Sequence, residues 1–249
     1  MTLSLLSYLT AIRPGLPVSF TGVGGTPPYL YSVSNMGDFA GGTINFTSGI
    51  YTAPAQLPES PKNQYDTIIV TDSIGDTTSK KIMVASPILL LQDIIQIYMG
   101  LDDNHIYLWN QKLNEPDDYS IYIALSNPYS TPFANNIKFD PETNSNILST
   151  NEFDIIDINV YSRGPAARDK KSKVLKAINS QYSQQQQSIN AFRIGKLPFS
   201  RRFNDLSGID GAAIPYRYQI SVSLTYSTVE IENADYYDTF DQPSLLVNP

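Results

Sequence analysis

Histidine, the most common general acid–base residue, occurs only once in this chain. His105 is the single histidine among 249 residues, and it ends the run Asp102-Asp103-Asn104-His105. A Ser-His-Asp arrangement would have to use this histidine, yet no Gly-x-Ser-x-Gly sequence supplies a nucleophile. The run is typical of a turn, and a histidine without a recognisable partner favours that interpretation over catalysis.

Other kinds of chemical site find little support. Asp102 and Asp103 lack the glycine and the distal glutamate of a calcium loop. The glycine-rich residues 21–26 are not followed by Gly-Lys-Ser/Thr and begin no helix, so they predict a β-turn loop and not a phosphate cradle. Cysteine is absent, which excludes a thiolate nucleophile and a cysteine metal site. We therefore expect no catalytic residue, metal or cofactor, although a carboxylate pair of the glycosidase kind stays open.

Alternating residues predict two strands in the second half of the chain. Between residues 153 and 161, Ile156, Ile158 and Val160 alternate with polar side chains, so one face is expected to be buried and the other wet. Both this run and a later one, at residues 216–226, predict half-buried strands. The apolar positions of the later run are Tyr216, Tyr218, Ile220, Val222, Leu224 and Tyr226.

The segment between these strands predicts one long amphipathic helix. Gly164-Pro165 ends the first strand, and proline suits the first position of a helix. Apolar residues then recur at helical spacing as far as Ile189. The segment is basic near its start and contains the four glutamines 184–187, which a helix tolerates.

An upstream helix marks the start of this second domain. Ser86-Pro87 predicts its beginning, because serine caps helix N-termini and proline follows well. Residues 119–125 alternate as a further strand. Residues 87–232 are therefore predicted to form an α+β domain with a mixed or antiparallel sheet, followed by a C-terminal arm at residues 233–249. The upstream helix ends at Gly100, and its apolar stripe comprises Leu90, Leu91, Ile94, Ile95 and Tyr98.

Residues 12–86 predict a different, all-β unit, preceded by an N-terminal arm at residues 1–11. The unit is rich in glycine, proline and threonine, and its short apolar runs predict a small β-sandwich. The run Ser-Gly-Ile-Tyr-Thr-Ala-Pro at residues 48–54 and a hairpin turning at Gly75-Asp76 resemble bacterial Ig-like repeats. This resemblance implies a binding or spacer role, and it leaves a surface adhesion or carbohydrate-binding module as the alternative function. The strand runs are residues 18–20, 29–33, 49–53, 67–71 and 80–84.

The second domain is similar to the tail-terminator or neck proteins of tailed bacteriophages over roughly residues 88–228. The similarity lies in Ile-Asn-Val-Tyr-Ser-Arg-Gly at residues 158–164, in the glutamine-rich helix, and in Ser-Gly-Ile-Asp-Gly-Ala-Ala-Ile-Pro-Tyr-Arg at residues 207–217. Such proteins are generally small α+β subunits, not enzymes, that close into a ring, commonly a hexamer. The ring stops growth of the tail tube and docks the head connector.

This resemblance implies a structural virion protein at the head–tail junction, assembled in the host cytoplasm. Its expected partners are further copies of itself, the tail tube protein and the head connector or other neck proteins. DNA would pass transiently through the ring. Residues 3–9 lack a basic leader, and polar residues interrupt residues 89–99, so neither segment predicts a signal peptide or membrane span.

Charge is distributed unevenly along the chain, whose net charge is -7. Residues 88–162 hold 2 basic and 11 acidic side chains, residues 163–217 hold 11 basic and 3 acidic ones, and residues 218–249 hold 5 acidic and no basic ones. A ring requires one patch to meet a different patch on its neighbour, and opposite charges favour that docking. A solvated helix face is the alternative for any single lysine. The candidate subunit-interface residues are Arg163, Arg168, Lys170, Lys173, Lys176, Gln184 and Arg217.

Contact with nucleic acid is a rival use for basic residues. Arg201 and Arg202, beside Phe199 and Phe203, are the best candidates for a loop that faces the DNA path or a partner protein. The negative net charge opposes general attraction to phosphates, and no helix-turn-helix, zinc-finger or RNA-recognition signature is present. The sequence therefore favours a protein partner for this loop.

Overall fold

The computed structural model describes residues 2–7, 11–34, 39–56, 65–108, 119–140, 145–196, 203–207 and 216–233. Within these ranges strands predominate, and three helices follow residue 86. The strands before that residue are β1 (Ser4–Leu6), β2 (Ala11–Ile12), β3 (Pro17–Ser19), β4 (Thr21–Val23), β5 (Leu30–Val33), β6 (Thr43–Ile44), β7 (Ile50–Thr52), β8 (Tyr65–Thr71) and β9 (Thr77–Val84).

Two sheets of this first unit pack across a shared hydrophobic core, as in a β-sandwich. One sheet has the strand order β2-β9-β8-β5 and the other β3-β7-β6. Each of the five predicted runs contains or overlaps one of these strands, so the predicted strands are confirmed. The core comprises Leu3, Ile12, Phe20, Tyr31, Tyr51, Ala53, Ile68, Val70, Ile82 and Val84.

Part of the segment predicted as an N-terminal arm is paired. Strand β1 lies antiparallel to β4, and Leu3 is buried in the sandwich core. Strand β2 lies parallel to β9. Leu3 and Ala11 are buried against the neighbouring strands, whereas Leu6 is 52% exposed.

The second unit is built on a long sheet with the strand order β10-β11-β12-β15-β13, in which β14 also pairs with β15. Only β10 and β11 run parallel in this described sheet; the other pairs are antiparallel. Its elements are α1 (Pro87–Met99), β10 (Ile106–Leu108), β11 (Tyr122–Asp140), β12 (Ser145–Ser162), α2 (Ala166–Ile178), α3 (Gln181–Ile189), β13 (Phe192–Lys196), β14 (Asn204–Asp205) and β15 (Tyr216–Asn233).

Helices α1 and α2 bury their apolar faces against one face of this sheet, which confirms an α+β arrangement in outline. The predicted start of α1 at Pro87 and its end at Gly100 are both confirmed, and Gly100 has the left-handed conformation (φ +67°) that favours glycine. Tyr98 departs from the predicted stripe because it is exposed. Among the described residues, no helix combines the length and apolar character needed to cross a membrane.

The prediction of one long helix after Pro165 is wrong. Two helices replace it, α2 and α3, and the chain breaks at Asn179 and Ser180. The Ser180 hydroxyl accepts a hydrogen bond from the N–H of Ser183, which makes Ser180 the N-cap of α3. Asparagine and serine compete with helical hydrogen bonds through their own side chains, and this explains why the break falls here.

Three strands are much longer than the alternation predicted. Strand β11 continues to Asp140, β12 begins at Ser145, and β15 continues to Asn233. Serine, threonine and asparagine are frequent among the additional residues, and several large apolar side chains among them, such as Ile137 and Phe139, are exposed. Sequence periodicity detects half-buried strands, so it misses strands that are exposed on both faces.

Candidate subunit interface

Strand β15 is the platform on which the basic helix lies. Tyr218, Ile220, Val222 and Leu224 are buried on the helix side, as their alternation predicted. The Lys171 ammonium lies 3.8 Å from the centroid of the Tyr218 ring, a cation–π contact that fixes α2 over the strand. The tyrosines at the start of β15 therefore pack against α2 within one subunit.

Helix α2 is amphipathic, and its basic residues divide into two groups. Arg168 is paired with Asp169 at 3.1 Å and lies 5.9 Å from the Tyr216 ring centroid; the hydrogen bond and charge of Asp169 raise the pKa of Arg168. Lys170, Lys173 and Lys176 are exposed, and no carboxylate of the described residues forms an ion pair with them. We call these three lysines the lysine face.

The remaining predicted interface residues lie elsewhere. Arg217 points to the sheet face opposite the helices, where it lies 5.3 Å from the Tyr161 ring centroid and donates to Asn159 at 3.5 Å. Arg163 is half-buried just before α2, and Gln184 is exposed on α3. The structure thus places Arg217 away from the lysine face. Arg201 and Arg202 lie outside the described residues.

The feature that the sequence did not reveal is a three-stranded β-arm. We define the arm as residues 131–140 of β11, 145–153 of β12 and 225–233 of β15, which are paired along its length apart from one register shift between Pro132 and Ala134. Four of its large apolar side chains are exposed: Phe133 is 57% exposed, Ile137 67%, Phe139 49% and Val229 59%. Monomeric proteins seldom leave such groups uncovered together, so the arm is a candidate contact surface.

Both edges of the arm lack a neighbouring strand within the described sheet. Strand β10 pairs with β11 only as far as Leu125, and β13 pairs with β15 only as far as Tyr226. Proline and irregular pairing protect the β11 edge, since Pro128 and Pro132 fall at the two register shifts. These devices disfavour addition of a further strand at the β11 edge of the arm.

The two faces of the arm differ in chemistry. An open pocket of about 360 Å³ lies on the face away from the helices, lined by Tyr129, Thr131, Phe133, Phe153 and Thr225. On the helix side, Ile137 is opposite Leu148, and Phe139 is opposite Asn146, which is opposite Glu232. Both faces combine apolar and polar groups, as protein interfaces do.

Arg13, from the first unit, fixes the base of the arm. Its guanidinium donates to the main-chain oxygens of Asn190 (3.1 Å), Ala191 (3.0 Å) and Ser227, and it lies 5.3 Å from the centroid of the Tyr226 ring. Burial lowers the pKa of Arg13. One side chain therefore joins the sandwich, the end of α3 and the arm.

The described ionisable groups of the interior serve structural hydrogen bonds. The Asp66 carboxylate accepts from the Tyr51 hydroxyl (2.5 Å) and from the N–H groups of residues 40–42. The Tyr226 hydroxyl donates to Asp154 at 2.9 Å, and burial together with this bond raises the pKa of Tyr226. These carboxylates hold strands and turns together.

His105 lies in a turn, as predicted. Its backbone N–H donates to the backbone carbonyl of Asp102 at 3.1 Å. Its ring Nδ1 lies within hydrogen-bond distance of the Asp102 carboxylate. The glycine-rich residues 21–26 begin as strand β4 and turn at Gly24 and Gly25, so the loop prediction holds only for the second half. No three potential metal ligands cluster among the described residues.

No protein-family model matches this chain, and no curated protein is similar to it. Among solved structures, human protocadherin-24 EC1-2 matches with 11% sequence identity over 61% of this chain and 86% of that chain. The TM-score of this match is 0.27, which is too low to support a conclusion about fold or function.

Proposed function

We propose that this chain is a structural protein of a tailed-phage virion. In this proposal several copies, six by analogy with the proteins it resembles, form a ring at the neck. The ring ends the tail tube, joins it to the head connector and surrounds the path of the DNA. The resemblance of residues 158–164 and 207–217, together with the glutamine-rich segment, supports this assignment.

The observation that carries the proposal is the presence of two unlike exposed surfaces on one subunit. The lysine face of α2 has no carboxylate partner among the described residues, and the β-arm exposes apolar side chains with Glu232. Two different surfaces that fit each other produce head-to-tail contacts, and such contacts close into a ring when the rotation between subunits permits it.

The sandwich has a supporting role in this proposal. Arg13 attaches it to α3 and to the base of the arm, so it moves with the ring subunit. An Ig-like unit held in this way would decorate the neck or space it from another virion component. Tail tube and connector proteins would meet the ring on its two flat sides.

Light scattering of the purified protein across concentration and salt tests the assembly. We expect a discrete oligomer that dissociates as salt rises, because exposed charges are screened beyond about 10 Å at 0.1 M salt. Gold-labelled antibodies against the chain, applied to virions that contain it, should then mark the head–tail junction. Labelling of tail fibres or of the capsid surface would contradict the neck assignment and favour the adhesion alternative.

A further inference from the structure

The tip of the β-arm carries a patch whose residues share the helix side of the sheet. Ile137 and Leu148 are directly opposite each other on neighbouring strands, and Phe139 lies in the row that ends at Glu232. Ile137, Phe139 and Glu232 are exposed. We call these four residues the arm-tip patch. It is apolar at its centre and acidic at its margin, and β15 has no basic residue after Arg217.

The helix layer carries a surface of the opposite kind. The lysine face provides three ammonium groups on α2, and Ile97 (47% exposed) and Tyr98 (45%) are uncovered on α1, which packs beside α2. The helix layer therefore offers both positive charge and exposed apolar side chains. Its chemistry complements that of the arm-tip patch.

Self-contact of either surface is unfavourable. Two arm-tip patches facing each other would pair two acidic surfaces, and two lysine faces would bring six ammonium groups together. Like charges at an interface disfavour that pairing, whereas the unlike pair is attractive. The charge pattern thus selects a head-to-tail contact over a two-fold symmetric one.

The arm is long enough to reach a neighbour. Ten residues of strand extend about 30 Å, which is similar to the diameter of a small domain. Arg13 holds the base of the arm, so the strands leave the body of the subunit in a defined direction. A rigid arm loses little conformational entropy on docking, which favours binding.

We propose that the arm-tip patch of one subunit docks on the lysine face and the adjoining α1 surface of the next subunit. This inference rests on the proposed ring and names the two surfaces that form it. The occupant of each surface is a second copy of the same chain, and the contact repeats around the assembly.

Chemical cross-linking tests this contact. Because the natural chain has no cysteine, a thiol-specific reagent reacts only with the cysteines that are introduced. The variant Ile137→Cys/Lys173→Cys is treated with a short, flexible bismaleimide. Such a linker joins two cysteines on contacting surfaces even when their sulfur atoms are not in direct contact. We expect a ladder of covalent oligomers, since each subunit contributes both halves of the contact. The matched control is Ile137→Cys/Ile74→Cys, whose second site is an exposed turn residue of the sandwich.

The outcomes separate the contact from the ring. A ladder from the Ile137/Lys173 variant and none from the control supports both. Oligomers in light scattering without that ladder would overturn the contact while leaving the ring. Dimers from Ile137→Cys alone would show arm-to-arm pairing and overturn the head-to-tail contact. Monomers at every concentration with no ladder would overturn both.

Discussion

The backbone N–H of Arg13 donates a hydrogen bond of 2.8 Å to Oδ1 of Asn190, although 177 residues separate the two. The Asn190 side chain in turn donates to Gln186, one turn earlier in α3. The guanidinium of Arg13 then satisfies two carbonyls at the end of that helix. Carbonyls at a helix C-terminus lack partners within the helix, and a cation is favourable there. The sandwich and the second unit are therefore held by a charged contact.

Replacing Arg13 tests this contact. Arg13→Met removes the donors but keeps much of the side-chain volume, so three main-chain oxygens lose their partner. We expect the free energy of unfolding to fall by about 1.5–3 kcal/mol, the range for hydrogen bonds that involve a charged group. Urea unfolding followed by circular dichroism measures the change. Lys81→Met, at an exposed site on β9, is the control, and an equal effect of both variants would contradict the role of Arg13.

The N-cap of α3 gives a second prediction. Ser180→Ala removes the acceptor for the Ser183 N–H, and we expect a loss of about 1 kcal/mol in unfolding free energy. Ser188→Ala, at an exposed position within the same helix, should change stability by much less. If the two variants behaved alike in urea unfolding, the chain would not depend on a cap at Ser180.

The sequence predicted the elements that are buried on one face. Ile156, Ile158 and Val160 alternate because they face the helices, and all three are buried as expected. The residue types Asn179 and Ser180 did carry the signal for the helix break, but the apolar spacing through Tyr182 and Ile189 concealed it. Short-range patterns thus recovered the core and missed the break.

The arm and the Arg13 contact could not be predicted from patterns along the chain. Phe133, Ile137 and Phe139 lie at alternating positions, but Asn135 interrupts the series and the register shift between Pro132 and Ala134 places Phe133 on the opposite face from the other two. Arg13 meets Asn190 and Ser227 only because three distant segments fold together. Exposed strands and long-range polar contacts depend on tertiary structure, which local periodicity does not encode.

The hairpin turn between β8 and β9 predicts a pH dependence. Burial of Asp72 raises its pKa, but hydrogen bonds from the N–H groups of Thr26, Ile74 and Asp76 outweigh this, so the pKa is lowered overall. A carboxylate with a lowered folded pKa contributes stability above its unfolded pKa, about 3.9, and that contribution is lost as pH falls through the folded pKa.

Asp72→Asn should therefore destabilise the protein at pH 6, and its difference from the unsubstituted protein should shrink as pH falls below about 3.9. Asp76→Asn, whose side chain is exposed in the same turn, should show a smaller effect. Urea midpoints measured from pH 3 to pH 7 provide the comparison. A difference for Asp72→Asn that stayed constant across this range would contradict the ionised role of its carboxylate.

Charge reversal gives the sharpest prediction for assembly. The triple variant Lys170→Glu/Lys173→Glu/Lys176→Glu should fold normally, because all three side chains are exposed, yet its oligomer should dissociate at protein concentrations at least tenfold higher. A tenfold change in the dissociation constant corresponds to about 1.4 kcal/mol. Light scattering measures the mass, and circular dichroism verifies the fold.

Adding Glu232→Lys to that triple variant places a positive charge on the arm opposite the three new glutamates of α2. Because opposite charges then meet again, part of the lost affinity should return. Glu232→Lys alone should weaken assembly, since it places a positive charge against the lysine face. Glu232→Lys combined with Lys81→Glu, a charge reversal on β9 of the sandwich, should not recover the affinity of assembly. Equal recovery in both combinations would indicate a net-charge effect and would contradict a specific contact between the arm and α2.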